Sequence, residues 1–157
     1  VNADINVINH ITDFLKLDII QLHGDEDADY IDKIRKLKKP IIKAIPLKNY
    51  SDLENARKYE KICEMILFDT KSDSNVHGGS GISFDWNLLK GYDSQVEWIL
   101  AGGLNEKNVK KAIQITNAKF VDVSSGVETS KGTKCQKKVK GFIKSVRDYE
   151  KEKNKLS

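Results

Sequence analysis

Five short apolar runs that alternate with amphipathic stretches predict an α/β protein with a parallel sheet, because parallel neighbours need crossover connections. The run centres, at Ile20, Lys43, Leu67, Ile99 and Asp122, follow one another at steps of 23, 24, 32 and 23 residues, the mark of a repeated βα unit. So short and regular a step favours a (β/α) barrel over a doubly wound sheet. Eight strands and usually ~200 residues or more make a closed (β/α)8 barrel. Five units in 157 residues therefore read as an incomplete barrel, one domain spanning residues 1–157.

The elements can be justified in chain order. Asp18 to His23 is the first strand: brief, apolar and stopped by Gly24. Asp25 is placed to cap a helix carrying Ile31, Ile34 and Leu37, with acids in its first turn and Arg35, Lys36 and Lys38 at its end, matching the helix dipole. Pro40 blocks its continuation and opens the strand Pro40 to Ile45. Ser51-Asp52-Leu53-Glu54 reads as a capping box for a helix with Leu53, Ala56, Tyr59 and Cys63 on one face. Met65 to Asp69 is the third strand. Lys71 to Ser83 is a Gly/Ser-rich loop in which His77 and Gly78-Gly79-Ser80-Gly81 form either a lid over a ligand or a plain connection. Glu97 to Ala101 is the fourth strand. Asn105 caps the next helix, with Leu104 and Val109 as a hydrophobic staple. Phe120 to Ser124 is the fifth strand. The last helix is expected to bury Val139, Phe142, Ile143 and Val146, and residues 150–157 read as a polar tail.

Composition excludes several classes. The 27 basic and 23 acidic residues leave a net charge of +4, but they are interspersed along helices, which argues for a solvated surface and against nucleic acid. No run approaches the ~20 apolar residues of a membrane span. Two cysteines, Cys63 and Cys135, make neither a disulfide framework nor a Cys-rich zinc site and fit a reduced, cytoplasmic setting. The opening lacks the basic region of a signal peptide. No cluster has metal-ligand spacing and no Rossmann or Walker pattern occurs.

Barrel chemistry sits at the C-terminal ends of strands, and here those ends are polar. Gln21-Leu22-His23-Gly24, Asp69-Thr70-Lys71, Gly102-Gly103 and Ser124-Ser125-Gly126-Val127-Glu128 are each also ordinary turn compositions; together on one rim they favour a site. Gly102-Gly103-Leu104-Asn105 leads into a helix start, where backbone N–H groups and the helix dipole suit an anion, and Ser124-Ser125-Gly126 can act likewise from the neighbouring strand. Asp69 closes a strongly apolar strand. Partial desolvation there favours the protonated form and suits it to donate a proton, although a turn or capping aspartate fits the residue equally. His23 is a substrate contact or a structural histidine. Lys43 points into the barrel or to its rim; alternation does not decide.

Taken in order, Gln21-Leu22-His23-Gly24, Leu67-Phe68-Asp69-Thr70, Gly78-Gly79-Ser80-Gly81 with Phe84-Asp85-Trp86, Ala101-Gly102-Gly103-Leu104 with Asn108-Val109, and Asp122-Val123-Ser124-Ser125-Gly126-Val127-Glu128 resemble the phosphoribosylanthranilate isomerases of tryptophan biosynthesis. The resemblance implies a (β/α)8 barrel without metal or organic cofactor, acting on a phosphosugar by an Amadori rearrangement. It implies Asp69 as general acid, Gly102, Gly103, Ser125 and Gly126 as the phosphate site, and Gln21 and His23 as substrate-binding residues. It also implies departures. The family's first-strand Lys-x-Cys-Gly-x-Thr segment, with its cysteine base, and the second-strand arginine are absent from the sequence. Val1-Asn2 matches the end of a third strand, so the chain is expected to be the C-terminal three quarters of a family member with its first strands missing. Such a chain would have little activity and would expose strand edges open to self-association. Cys63, near a helix end on the opposite rim, does not replace the base. Cys135 stands where the family usually has aspartate and reads as a structural substitution. A non-catalytic phosphosugar-binding module is the alternative. Indole-glycerol-phosphate synthase chemistry would need a lysine and glutamate pattern that is not seen.

Overall fold

The computed structural model describes residues 2–69 and 85–155. Its elements are α1 (Ile5–Leu15), β1 (Ile20–Leu22), α2 (Ala28–Arg35), β2 (Ile41–Pro46), α3 (Tyr50–Tyr59), β3 (Met65–Asp69), a 3-10 turn at Trp86–Leu89, β4 (Glu97–Ala101), α4 (Val109–Thr116), β5 (Phe120–Val121), a 3-10 turn at Ser125–Val127, the strands β6 (Glu128–Ser130) and β7 (Thr133–Lys134), and α5 (Gln136–Asn154). The expected loop of residues 71–83, His77 and its glycines included, lies outside the described residues. The main sheet has the order β1-β2-β3-β4-β5, with β1–β2 and β2–β3 parallel, and β6 and β7 form an antiparallel pair. This is the α/β fold expected of about five βα units of a (β/α)8 barrel. Contacts divide the chain into two compact units, Val1–Asp69 with Asp93–Ile99, and Thr70–Tyr92 with Leu100–Ser157.

In the first unit, the five consecutive buried residues Ile41 to Ile45 mark a strand covered on both faces. Leu22 pairs with Lys43, Lys43 with Ile66 and Pro46 with Asp69. Side chains alternate along a strand, so Gln21, Ala44, Leu67 and Asp69 share one face and Leu22, Lys43, Ile66 and Phe68 the other. Helix α3 lies on that second face: Leu53 and Ala56 are buried, and the Tyr59 ring centroid is 5.7 Å from the Lys43 Nζ. Ile31 and Ile34 of α2 are fully buried, and Phe68 meets Trp98 edge-on at 5.7 Å.

Local chemistry moves several expected boundaries. Asp27, not Asp25, caps α2 by accepting from the Tyr30 N–H, since Asp25 is turned towards Asn2. The capping box of α3 is Asn49 with Asp52, so the helix begins one residue before Ser51. Helix α1 was not anticipated from the sequence. Asp4 caps it by accepting from the Asn6 N–H, and Lys16 ends it in the left-handed conformation at φ 53°.

The expected strand end at Val1-Asn2 is corrected. Asn2 has φ 50° and belongs to no strand; its N–H donates to Glu26 and its side-chain oxygen accepts from the Asp25 N–H at 2.8 Å. The Tyr30 hydroxyl donates to the Ala3 carbonyl. Helix α1 and strand β1 follow, at Ile5–Leu15 and Ile20–Leu22.

In the second unit, Leu89, Leu104, Val109, Ala112, Ile113 and Phe142 form the buried core. Asn105 starts a turn that precedes α4, accepting from the Lys107 N–H at 2.9 Å, while the Val109 N–H donates to the Asn105 carbonyl at 3.1 Å. β5 is shorter than the apolar run, although the Asp122 N–H beyond it still donates to the Leu100 carbonyl at 2.8 Å. In α5, Phe142 is buried but Ile143 is 42% exposed, contrary to expectation: one residue further round the helix is 100° off the buried stripe. The helix runs on to Asn154, through most of the expected tail.

Candidate active site

The end of β3 carries one cluster of the expected residues. Asp69 is the last residue of an apolar strand and only 7% exposed. His23, one residue beyond β1, brings its Nε2 to 3.2 Å from the Asp69 Oδ2. The two share the sheet face that also carries Gln21, which is exposed between the buried Ile20 and Leu22. A partly exposed imidazole and a buried carboxyl at this separation can hold one proton between them, and that proton can be given to a third atom brought to the pair. The structure thus brings together His23 and Asp69 and puts Gln21 on the same face.

Lys43 points neither to the sheet face that carries Gln21 and Asp69 nor to its rim. It lies on the helix-covered face, where its Nζ donates to the Gly24 carbonyl at 2.6 Å, to the Glu26 carboxylate at 3.0 Å and to the Ala44 carbonyl at 3.3 Å. Burial alone would raise the Glu26 carboxyl, but the Asn2 N–H, the Lys43 ammonium and the Gly24 N–H outweigh it and bring it down to about 2. The sequence signals that a lysine inside an apolar strand needs a buried partner, but nothing local singles out Glu26 as that partner.

The second unit holds the glycine and serine turns. Gly102 and Gly103 have φ of 86° and 63°, the left-handed region that glycine enters without strain. Asn108 donates from its side chain to the Gly103 carbonyl at 3.0 Å and accepts from the Asn105 N–H at 2.8 Å, which sets the turn ahead of α4. Ser125 and Gly126 form the other turn, and the two turns touch: a Cβ at Gly126 would stand 1.8 Å from the Leu104 carbonyl oxygen. The β6–β7 hairpin props the second turn from behind, a feature missed in the sequence. The Lys134 Nζ donates to the Ser124 carbonyl and hydroxyl, each at 3.0 Å, and to the Glu128 carboxylate at 2.7 Å, which lowers the Glu128 pKa.

The two cysteines lie in opposite environments. Burial pushes the Cys63 thiol up to about 11. Cys135 is the N-cap of α5 without a side-chain cap hydrogen bond; the Lys138 and Lys137 N–H groups facing its sulfur lower its pKa. Among the described residues, no group of three or more His, Cys, Asp or Glu could hold a metal, and no helix is long and apolar enough to cross a membrane.

A sheet of βα units with polar strand ends defines an α/β protein of the barrel class. Residues 1–145 match the family model described as N-(5'phosphoribosyl)anthranilate (PRA) isomerase. The isomerase of Thermoanaerobacter sp. (strain X514) is 46% identical over 147 residues, covering 94% of this chain and 70% of its own. The crystal structure of phosphoribosyl anthranilate isomerase from Thermotoga maritima superposes with a TM-score of 0.83 at 38% identity, covering 94% of this chain and 70% of that one. A phosphoribosyl anthranilate isomerase in complex with reduced 1-(o-carboxyphenylamino)-1-deoxyribulose 5-phosphate gives a TM-score of 0.79 at 34% identity, covering 94% and 68%. The chain belongs to the N-(5'-phosphoribosyl)anthranilate isomerase family. The expected recognition is corrected to that of a family member matched over nearly all of its own length, in which helix α1 and strand β1 are formed; the chain spans about 70% of the length of the relatives it matches.

Proposed function

We propose that the protein acts in tryptophan biosynthesis on N-(5'-phosphoribosyl)anthranilate, isomerising the aminoaldose phosphate to the 1-deoxyribulose phosphate, with Asp69 as general acid. The proton of Asp69 passes to the furanose ring oxygen. The C1–O bond breaks as the anthranilate nitrogen lone pair forms the C=N of a Schiff base. Loss of the C2 proton, in the family the task of the first-strand cysteine whose Lys-x-Cys-Gly-x-Thr segment this sequence does not contain, gives an enol amine, which tautomerises to the ketone. The backbone of Gly102, Gly103, Ser125 and Gly126 takes the phosphate, and His23 and Gln21 meet the sugar. No cofactor enters this scheme, and it belongs to the cytoplasm.

The observation that carries the assignment is the buried Asp69 carboxyl within 3.2 Å of the His23 imidazole at the strand ends. Turnover is the test. Asp69→Asn in the active enzyme is expected to lower kcat at least about a hundredfold, the share of a general acid, while the affinity for the reduced product analogue changes less than about threefold. A kcat loss below tenfold refutes the acid. Tight binding of the analogue by a wild-type enzyme with no turnover would favour the binding-module reading instead.

A further inference from the structure

The reaction scheme leaves one buried ionic arrangement unused. The Lys43 and Glu26 side chains are each 3% exposed, with their charged atoms 3.0 Å apart. Taking two charges out of water is unfavourable, and a hydrophobic pair in their place is often as stable or more so. What the charges accomplish is visible at Gly24. Glu26 Oε2 accepts the Gly24 N–H at 2.8 Å, and the Lys43 Nζ donates to the Gly24 carbonyl at 2.6 Å. One ion pair thus holds both polar groups of one backbone residue. The second Glu26 oxygen accepts from the Asn2 N–H at 3.1 Å, and the Tyr59 ring lies beside the ammonium. There is no slack at this point of the chain: a Cβ on Gly24 would fall 2.0 Å from the Asn2 Oδ1 and 2.9 Å from the Glu26 Oε1.

Gly24 directly follows His23. The His23 side chain is 40% exposed, so packing holds it weakly and its position is inherited from the backbone. Resting on the assignment of Asp69 as the acid, we infer that Glu26 and Lys43 are positioning residues that clamp Gly24 and thereby hold the His23 imidazole against Asp69. The pair lies on the helix-covered face and touches no reacting atom; it acts through the peptide between the two faces.

The test uses Glu26→Gln, Lys43→Met and the double variant Glu26→Leu/Lys43→Met, which removes both charges together so that neither is left buried alone. Thermal melts report folding. The 15N and ring-proton resonances of His23 report its contact with Asp69, with Asp69→Asn as the reference for a broken contact. Steady-state kinetics with N-(5'-phosphoribosyl)anthranilate separate kcat from KM. The folded double variant is expected to show His23 resonances moved to those of Asp69→Asn and kcat reduced about tenfold or more, the cost of a misplaced group, with KM within about threefold. A folded double variant with parental His23 resonances and parental kcat overturns the clamp and leaves the pair merely structural. If the double variant does not fold, Glu26→Gln, which keeps the size and one acceptor oxygen of Glu26, carries the same comparison. If Asp69→Asn itself retains kcat, the acid assignment falls, and the His23 resonances still decide whether the clamp exists.

Discussion

Glu26 joins local hydrogen bonding to the acid stability of the first unit. Its carboxyl is brought from 4.5 down to about 2. A carboxyl whose folded value lies below its unfolded one contributes stability that is complete above the unfolded value and is lost as pH falls through the folded one. At ~1.4 kcal/mol per unit, about 3 kcal/mol is at stake. Urea unfolding of wild type and Glu26→Gln from pH 7 to 2 should therefore show a gap that is constant above about pH 5 and narrows by about 3 kcal/mol towards pH 2. A gap independent of pH contradicts the bonding described. The cysteines make a second residue-level case. Cys63 is buried with its thiol pushed up to about 11, whereas Cys135 is half-buried at a helix start that lowers its thiol. Iodoacetamide at neutral pH is expected to alkylate Cys135 about a hundredfold faster than Cys63. Peptide mass spectrometry over a time course reads this directly, and equal rates would place Cys63 outside the core.

Among the elements, the paired glycine turns couple packing to ligand affinity. A methyl at Gly126 meets the Leu104 carbonyl at 1.8 Å, so Gly126→Ala must drive the turns apart. Overpacking of that kind costs about 1–3 kcal/mol. A methyl at Gly103 meets nothing within 4 Å, but the φ of 63° makes Gly103→Ala cost about 1 kcal/mol by strain alone. Titration with inorganic phosphate should show about a tenfold loss of affinity for Gly126→Ala and a smaller loss for Gly103→Ala, the order set by how far each turn must move. The reverse order would mean that the contact between the turns is not what shapes them. Helix faces follow the same physics. Ile31 and Ile34 disappear into the first unit's core, while Phe14, at the end of α1, is 76% exposed.

For the whole molecule, legibility follows the range of the interactions involved. The strands could be read because each is a short apolar run between breakers, and a sheet covered by helices leaves that imprint in consecutive residues. The strand-end positions of Asp69, His23 and the two glycine turns were legible because each follows a short apolar run. The Lys43–Glu26 pair was not, because its partners come from β2 and from the loop after β1, and Lys43 sits on the face that alternation alone did not identify. Helix α1 was missed because Val1 and Asn2 were matched to a strand end, although Asp4 followed by Ile5, Ile8 and Thr12 carries a capping residue and a helical period. The hairpin was missed because β6 and β7 are three and two residues long, too short for periodicity to register.

The close approach of the Gly126 and Leu104 backbones bears on how this part of the protein could be reused. Neither turn keeps its shape alone: one is propped by Lys134 from the hairpin, the other by Asn108 from the start of α4. An engineer grafting the feature onto another scaffold would have to move Leu100 to Val109 and Ser124 to Lys138 as a single cassette. Shuffling either half between homologues would carry a mismatch into the recipient, whatever the sequence similarity of the exchanged pieces.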